Sequence, residues 1–283
     1  MIVELVAGRD RARVDSSAGG RLAGLLAGGR QRLIERPQPG SPFPEISWGS
    51  FLMAPWVGRV RDGRLEWGGD TFDLNPNLGG HAIHGACFDR PWQVGRRTDR
   101  SVELSVEIDS ARWPFGGTAR QRISLEGGSL TCAASIRADV PMPAALGWHP
   151  WFRRDPGADL ALTVAADRRL ELDPALIPTG RSLPVEGSFD LRTGPLLGDR
   201  RLDDVYMDVR GPAIVRWPDL ELQIEFGAPV VSVVVFSPPG AVCVEPATAW
   251  PDAVRLSADG LPGTGLAMLA AGQELAATMT WRW

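Results

Sequence analysis

The chain contains no lysine; all thirty of its basic side chains are arginines. Schiff-base chemistry and the lysine of a phosphate-binding loop are therefore excluded. Histidine is nearly as scarce, with three in 283 residues, at His81, His84 and His149, so imidazole chemistry has only those positions. Cys87, Cys132 and Cys243 are widely spaced, odd in number and form no CxxC pair. Neither a disulfide framework nor a cysteine-rich zinc site is indicated, and a reducing cytoplasm is the expected location. No window approaches the roughly 18 apolar residues of a membrane span, and the N-terminus lacks the basic start and apolar core of a secretion signal. The net charge of −4 offers no basic field for nucleic acid. What the chain does have, 44% apolar and 23% charged residues, is enough for a large core and excludes disorder.

The apolar residues alternate. Val102, Leu104, Val106 and Ile108 are interleaved with Glu103, Ser105 and Glu107, which puts one set on each face of a strand. Leu220, Leu222, Ile224 and Phe226 alternate in the same way after the turn-like Trp217-Pro218-Asp219, predicting a hairpin with Ala213 to Arg216. Ile123 to Leu125, Gly127-Gly128 and Leu130 to Ala134 predict a second hairpin, and a last strand is expected after Gly272. Val230 to Phe236 reads as a strand buried on both faces. With 33 glycines and 24 prolines, helix signals are weak. The expected architecture is an all-β antiparallel sandwich or barrel, with residues 1–283 as a single domain and the proline-rich stretch Arg36 to Pro44 as a surface loop.

Three segments carry possible chemistry. The first, Asn75 to Gly85, holds His81 and His84 in a glycine-rich loop, without the helical spacing of a zinc-protease motif. If that segment is extended, the odd spacing sends the two rings to opposite faces, and only one enters a cleft. The second is Gly147-Trp148-His149-Pro150-Trp151-Phe152, where burial among aromatics can move an imidazole pKa around neutrality and aromatic faces suit sugar rings. The third is Val242-Cys243-Val244-Glu245-Pro246, which places Glu245 at a strand end, either at a cleft mouth or buried as a general base. Arg59 in Pro55 to Val60 and Asp203 beside the only tyrosine are further polar candidates. Each of these residues has a purely structural alternative, as a core or surface group.

Taken together and in this order, GRVRDGRLEWGGDTFDLNPNLGGHAIHG (58–85), GWHPWF (147–152), LDDVY (202–206) and VCVEPATAWPDAV (242–254) resemble the aldose 1-epimerase (galactose mutarotase) family. The resemblance implies a large antiparallel β-sandwich of the galactose mutarotase type with an open sugar-binding cleft. It also implies interconversion of aldose α and β anomers with no cofactor or metal. By motif, Glu245 matches the general base and His149 the general acid. His84 matches the group at the ring oxygen, Arg59 and Asp203 the sugar-binding pair, and His81 a neighbour in the same motif. Departures at Asp203-Asp204, Pro246-Ala247-Thr248 and Gly85-Ala86 lie around the hydroxyl-reading part of the site and bear on which sugar is taken. Three rival readings remain open at this point. One is a hexose-6-phosphate 1-epimerase using Arg153 and Arg154, another a zinc hydrolase using His81, His84 and His149, and the last a non-catalytic sugar-binding protein.

Overall fold

The computed structural model describes residues 1–38, 43–155 and 159–283. Part of the proline-rich stretch, 39–42, thus lies outside the described residues. Strand dominates, and the one α-helix among the described residues is the short Ala253–Ala258.

Two large sheets account for most of the strands. The larger has eleven; across its centre lie Ser50–Met53, Gly147–Arg153, Ala241–Ala247, Ser232–Phe236 and Asp203–Met207, each antiparallel to the next. The smaller has eight strands, with Glu274–Arg282 between Ser129–Arg137 and Leu220–Phe226. The three predicted hairpin and terminal strands are present at Thr118–Glu126 with Ser129–Arg137, Ala213–Trp217 with Leu220–Phe226, and Glu274–Arg282. One buried core joins the inner faces, with Trp148, Phe152 and Val244 of the larger sheet against Ile224, Met279 and Trp281 of the smaller. The Phe152 and Trp281 rings meet with centroids 5.0 Å apart. Burying such large apolar side chains is the main favourable term in holding the two sheets together, at about 25 cal/mol per Å² of apolar surface.

Strand alternation decides what the other face of the larger sheet carries. In Gly147–Arg153, Trp148 and Phe152 enter the core, so His149 and Trp151 must point away from it. In Ala241–Ala247, Val242 and Val244 enter the core, while Cys243 and Glu245 share the face of His149. Glu245 therefore sits within a strand that runs two residues past it, rather than at its end as the following proline suggested. The Val230 to Phe236 strand also differs from expectation. It begins at Ser232, and Val234 and Phe236 are only half-buried because their face opens to a cleft.

Candidate active site

The cleft encloses about 740 Å³ over the outer face of the larger sheet. Its centre is set by strand register. Gly147 lies opposite Ala247 and Trp151 opposite Cys243, which puts His149 opposite Glu245 midway between them. The next ladder pairs Glu245 with Val234, and the one after pairs Asp203 with Phe236, bringing Asp203 into the same cleft. His149 Nε2 stands 3.3 Å from Glu245 Oε1, and both side chains are buried.

Burial displaces both groups toward their neutral forms. The Glu245 carboxyl is held well above its ordinary range by desolvation, with Asp203 adding to the shift and Arg59 opposing it. The His149 imidazole is pushed down to about 3, chiefly by desolvation, with a smaller contribution from the Arg21 cation. That is far below the neutral range expected from the sequence, because the ring is almost wholly enclosed. His84 is likewise driven well below its ordinary value by burial, then by His149 and Arg59. Asp203 is raised by burial and by Asp204, against the pull of Arg59.

Two loops complete the cleft. Arg59 belongs to the short strand Arg59–Val60, which pairs with Ala82–Ile83 and so brings the arginine beside the histidine motif. Both histidines of that motif face the cleft, contrary to the expectation that only one would. The period-2 argument fails because His81 sits at a turn with Leu78 and His84 takes a left-handed φ of 66°. The His84 amide donates to Gly58 O at 2.9 Å, and the Asn77 side chain brackets Ile83 by bonding both its amide and its carbonyl. Gly85 is required: its φ is 83°, and a Cβ there would stand 2.1 Å from Ala54 O. His81 Nδ1 accepts the Asp62 amide at 2.9 Å, which leaves its proton on Nε2 when the ring is neutral.

Other groups were less visible in the sequence. Phe51 and Trp151 stack on opposite faces of His149, at centroid distances of 4.8 and 5.4 Å. Phe236 meets Trp151 edge-on at 5.8 Å. Trp151 and Phe236 could have been found by extending the alternation of His149 and Glu245 along and across strands, but Phe51 needed knowledge of which distant strand is the neighbour. Asp204 is absent from the cleft lining and pairs with Arg169 at 2.9 Å, so that departure from the family pattern lies outside the cleft. Arg153 and Arg154 do not line the cleft, being paired with Asp155 and Asp159. Nor do the three histidines form a metal cage. Among the described residues, the group whose donor atoms lie close enough is His149, Cys243 and Glu245, within 4.8 Å of one another, and it leaves out His81 and His84.

Residues 11–282 match the family model described as Aldose 1-epimerase. The chain belongs to this family. The aldose 1-epimerase of Escherichia coli strain K12 is 29% identical over 196 residues, 64% of this chain and 56% of that protein. The galactose mutarotase of Mus musculus is 30% identical over 155 residues, 51% of this chain and 45% of that protein. The chain thus spans about half the length of these curated aldose 1-epimerase relatives. Among solved structures, an aldose epimerase homologue from C. elegans superposes with a TM-score of 0.84 at 19% identity, covering 100% of this chain and 98% of that one. A galactose mutarotase-like protein from Clostridium acetobutylicum gives a TM-score of 0.85 at 16% identity, covering 99% and 94%. The aldose 1-epimerase family fold therefore extends over the whole chain.

Proposed function

We propose that this protein is an aldose 1-epimerase acting on an uncharged free aldose as a single unit over residues 1–283, with Glu245 as base and His149 as acid. The observation carrying this reading is the buried pair at 3.3 Å, in which the carboxyl binds its proton unusually tightly and the imidazole unusually weakly. Anomer exchange requires removing the proton from the C1 hydroxyl while the ring oxygen receives one. In the resting pair the one proton lies on Glu245. Shifted across the 3.3 Å contact to His149, it leaves a carboxylate that takes the first proton and an imidazolium that gives the second, as the bond from C1 to the ring oxygen breaks and leaves an open-chain aldehyde. After rotation about C1–C2 the ring closes on the other face, and the two residues exchange roles by microscopic reversibility. The pair carries one mobile proton throughout, so nothing needs to be exchanged with water during turnover. Each positioned group contributes about 10²–10⁴-fold.

The remaining cleft residues orient the sugar. His84, whose ring lies 4.8 Å from that of His149, is the group assigned to bond the sugar ring oxygen. Arg59 and Asp203 offer a donor and an acceptor to hydroxyls, His81 presents Nε2–H, and Trp151 and Phe236 give an apolar wall for a sugar face. A 6-phosphate finds no comparable site. Among the described residues that line the cleft Arg59 is the one arginine, and it shares the cleft with Asp203 and Glu245. A dianion there would meet two carboxyls and one cation. A non-catalytic sugar-binding protein would have no need of a desolvated acid-base pair.

Polarimetry of freshly dissolved α-D-glucose and α-D-galactose tests this. The expected result is accelerated relaxation by wild type and loss of at least about 10²-fold in Glu245→Gln, with the fold retained. Wild-type rates equal to buffer for a panel of free aldoses and their 6-phosphates would defeat the reading.

A further inference from the structure

Arg21 is fully buried and forms no ion pair within the described residues. Buried charges are ordinarily paired with an opposite charge, because removing an ion from water without compensation is costly. Here the close compensation is four backbone carbonyls, with Glu45, Asp15 and Asp89 favouring the cation and Arg36 opposing it from beyond ion-pair distance. Nε donates to Ala18 O at 2.8 Å, Nη1 to Trp48 O at 3.1 Å, and Nη2 to Glu45 O at 2.7 Å and Phe88 O at 2.9 Å. These carbonyls come from three separate stretches of chain, one of which also supplies Ile46 and Ser47 to the cleft wall.

The guanidinium is also stacked. Its central carbon lies 4.2 Å from the Trp48 ring and 5.0 Å from the Phe51 ring. Phe51 in turn stacks on His149 at 4.8 Å with an interplanar angle of 27°, and Trp151 closes the far side at 5.4 Å and 5°. The four side chains make a column, Arg21, Phe51, His149, Trp151, crossing three strands of the larger sheet. Among the described residues the imidazole Nδ1 is buried without a hydrogen-bond partner, so no hydrogen bond fixes the ring from that side. The titratable or charged groups packed around His149 are Glu245 and Cys243 from one neighbouring strand, His84 from the loop, and Arg21 behind Phe51 from the other side. Arg59 and Asp203 act on His84 and Glu245 rather than on His149.

We propose that Arg21 is a positioning residue for proton transfer: through Phe51 it holds the His149 ring in plane against Glu245, and its charge, held in no ion pair, disfavours a positive charge on that ring. Aromatic stacking without the clamp would leave Phe51 unanchored on its outer face, and a buried carboxylate in place of the carbonyl clamp would cancel the charge. The combination found here avoids both. The inference rests on the acid-base reading of His149, and one arm of its test does not require turnover.

The variants are Arg21→Met, which removes the charge and keeps the stem, Arg21→Lys, which keeps the charge and loses the clamp, and Phe51→Leu, which leaves the clamp whole. With only three histidines, each imidazole can be followed by NMR of the histidine-labelled protein. In Arg21→Met the protonation of His149 is expected to move to higher pH by about one unit, and in Arg21→Lys to stay as in wild type. In Arg21→Lys and Phe51→Leu, kcat is expected to fall about tenfold with KM within about twofold, because a tilted ring costs proton transfer more than sugar binding. Wild-type titration in a folded Arg21→Met defeats the electrostatic half. Wild-type kcat with a single sharp His149 signal in Phe51→Leu defeats the positioning half, also when Arg21→Met does not fold. If no sugar is turned over at all, the NMR titration and line shape decide the inference alone.

Discussion

The Glu245 and His149 side chains lie so close together that their titrations belong to the pair rather than to either residue. On the mechanism proposed above, activity needs one mobile proton on that pair. Adding a second requires protonating His149, which burial opposes, and removing the last requires ionising Glu245, which burial also opposes. The pH profile of kcat/KM should therefore be broad, with its acid limb well below the ordinary imidazole value of 6.5 and its alkaline limb well above the ordinary carboxyl range. An acid limb near 6.5 for wild type would mean that His149 is solvated in the working enzyme and that its assignment as a neutral, enclosed ring is wrong. These two residues were legible in the sequence because each stands in a short, chemically unusual context, between aromatics or before a proline. Arg21 was not. In a chain with thirty arginines, nothing local separates a cation buried on carbonyls from one in solvent; only the fold shows that Ala18, Glu45, Trp48 and Phe88 converge on it.

At the level of elements, alternation was a good guide wherever the backbone stayed extended. It located strands of the smaller sheet, such as Ser101–Glu107, Leu220–Phe226 and Glu274–Arg282, and, carried from His149 to Glu245 on the larger sheet, the face on which the cleft lies. It misjudged the His81 to Gly85 loop, because one left-handed residue inverts the side-chain direction that a period of two assumes. Gly85 makes that geometry possible and gives it a direct test. Gly85→Ala is expected to cost about 2 kcal/mol or more, from a strained φ combined with the approach to Ala54 O. The loss should appear as a lowered melting temperature, together with weakened sugar binding as His84 is displaced. Unchanged stability would show that the loop can relax around a Cβ, and would remove the glycine from the account of the site.

Over the whole molecule, the cleft depends on a core that lies entirely behind it. Trp281 is fully buried on the strand at the middle of the smaller sheet, and it reaches Phe152, whose strand carries His149. Trp281→Ala is therefore expected to cost about 3–5 kcal/mol in chemical denaturation, and to do so without touching any cleft residue. A loss below 1 kcal/mol on that scale would mean that the sheets repack freely across the cavity. The pairing of strands far apart in sequence, such as Ser50–Met53 beside Gly147–Arg153 and Asp203–Met207 beside Ser232–Phe236, was not legible beforehand, since alternation gives each strand its two faces but not its neighbours. One consequence concerns which changes this protein can undergo. Trp148 and Phe152 are interleaved with His149 and Trp151 on a single strand, so a one-residue insertion or deletion there would send the His149 ring into the hydrocarbon interior and a tryptophan into the cleft. Fold and chemistry would fail in the same event. Change at the cleft of such a molecule is accessible by exchanging side chains in place or by remodelling the loops around the rim, while a one-residue change in the length of this strand is not.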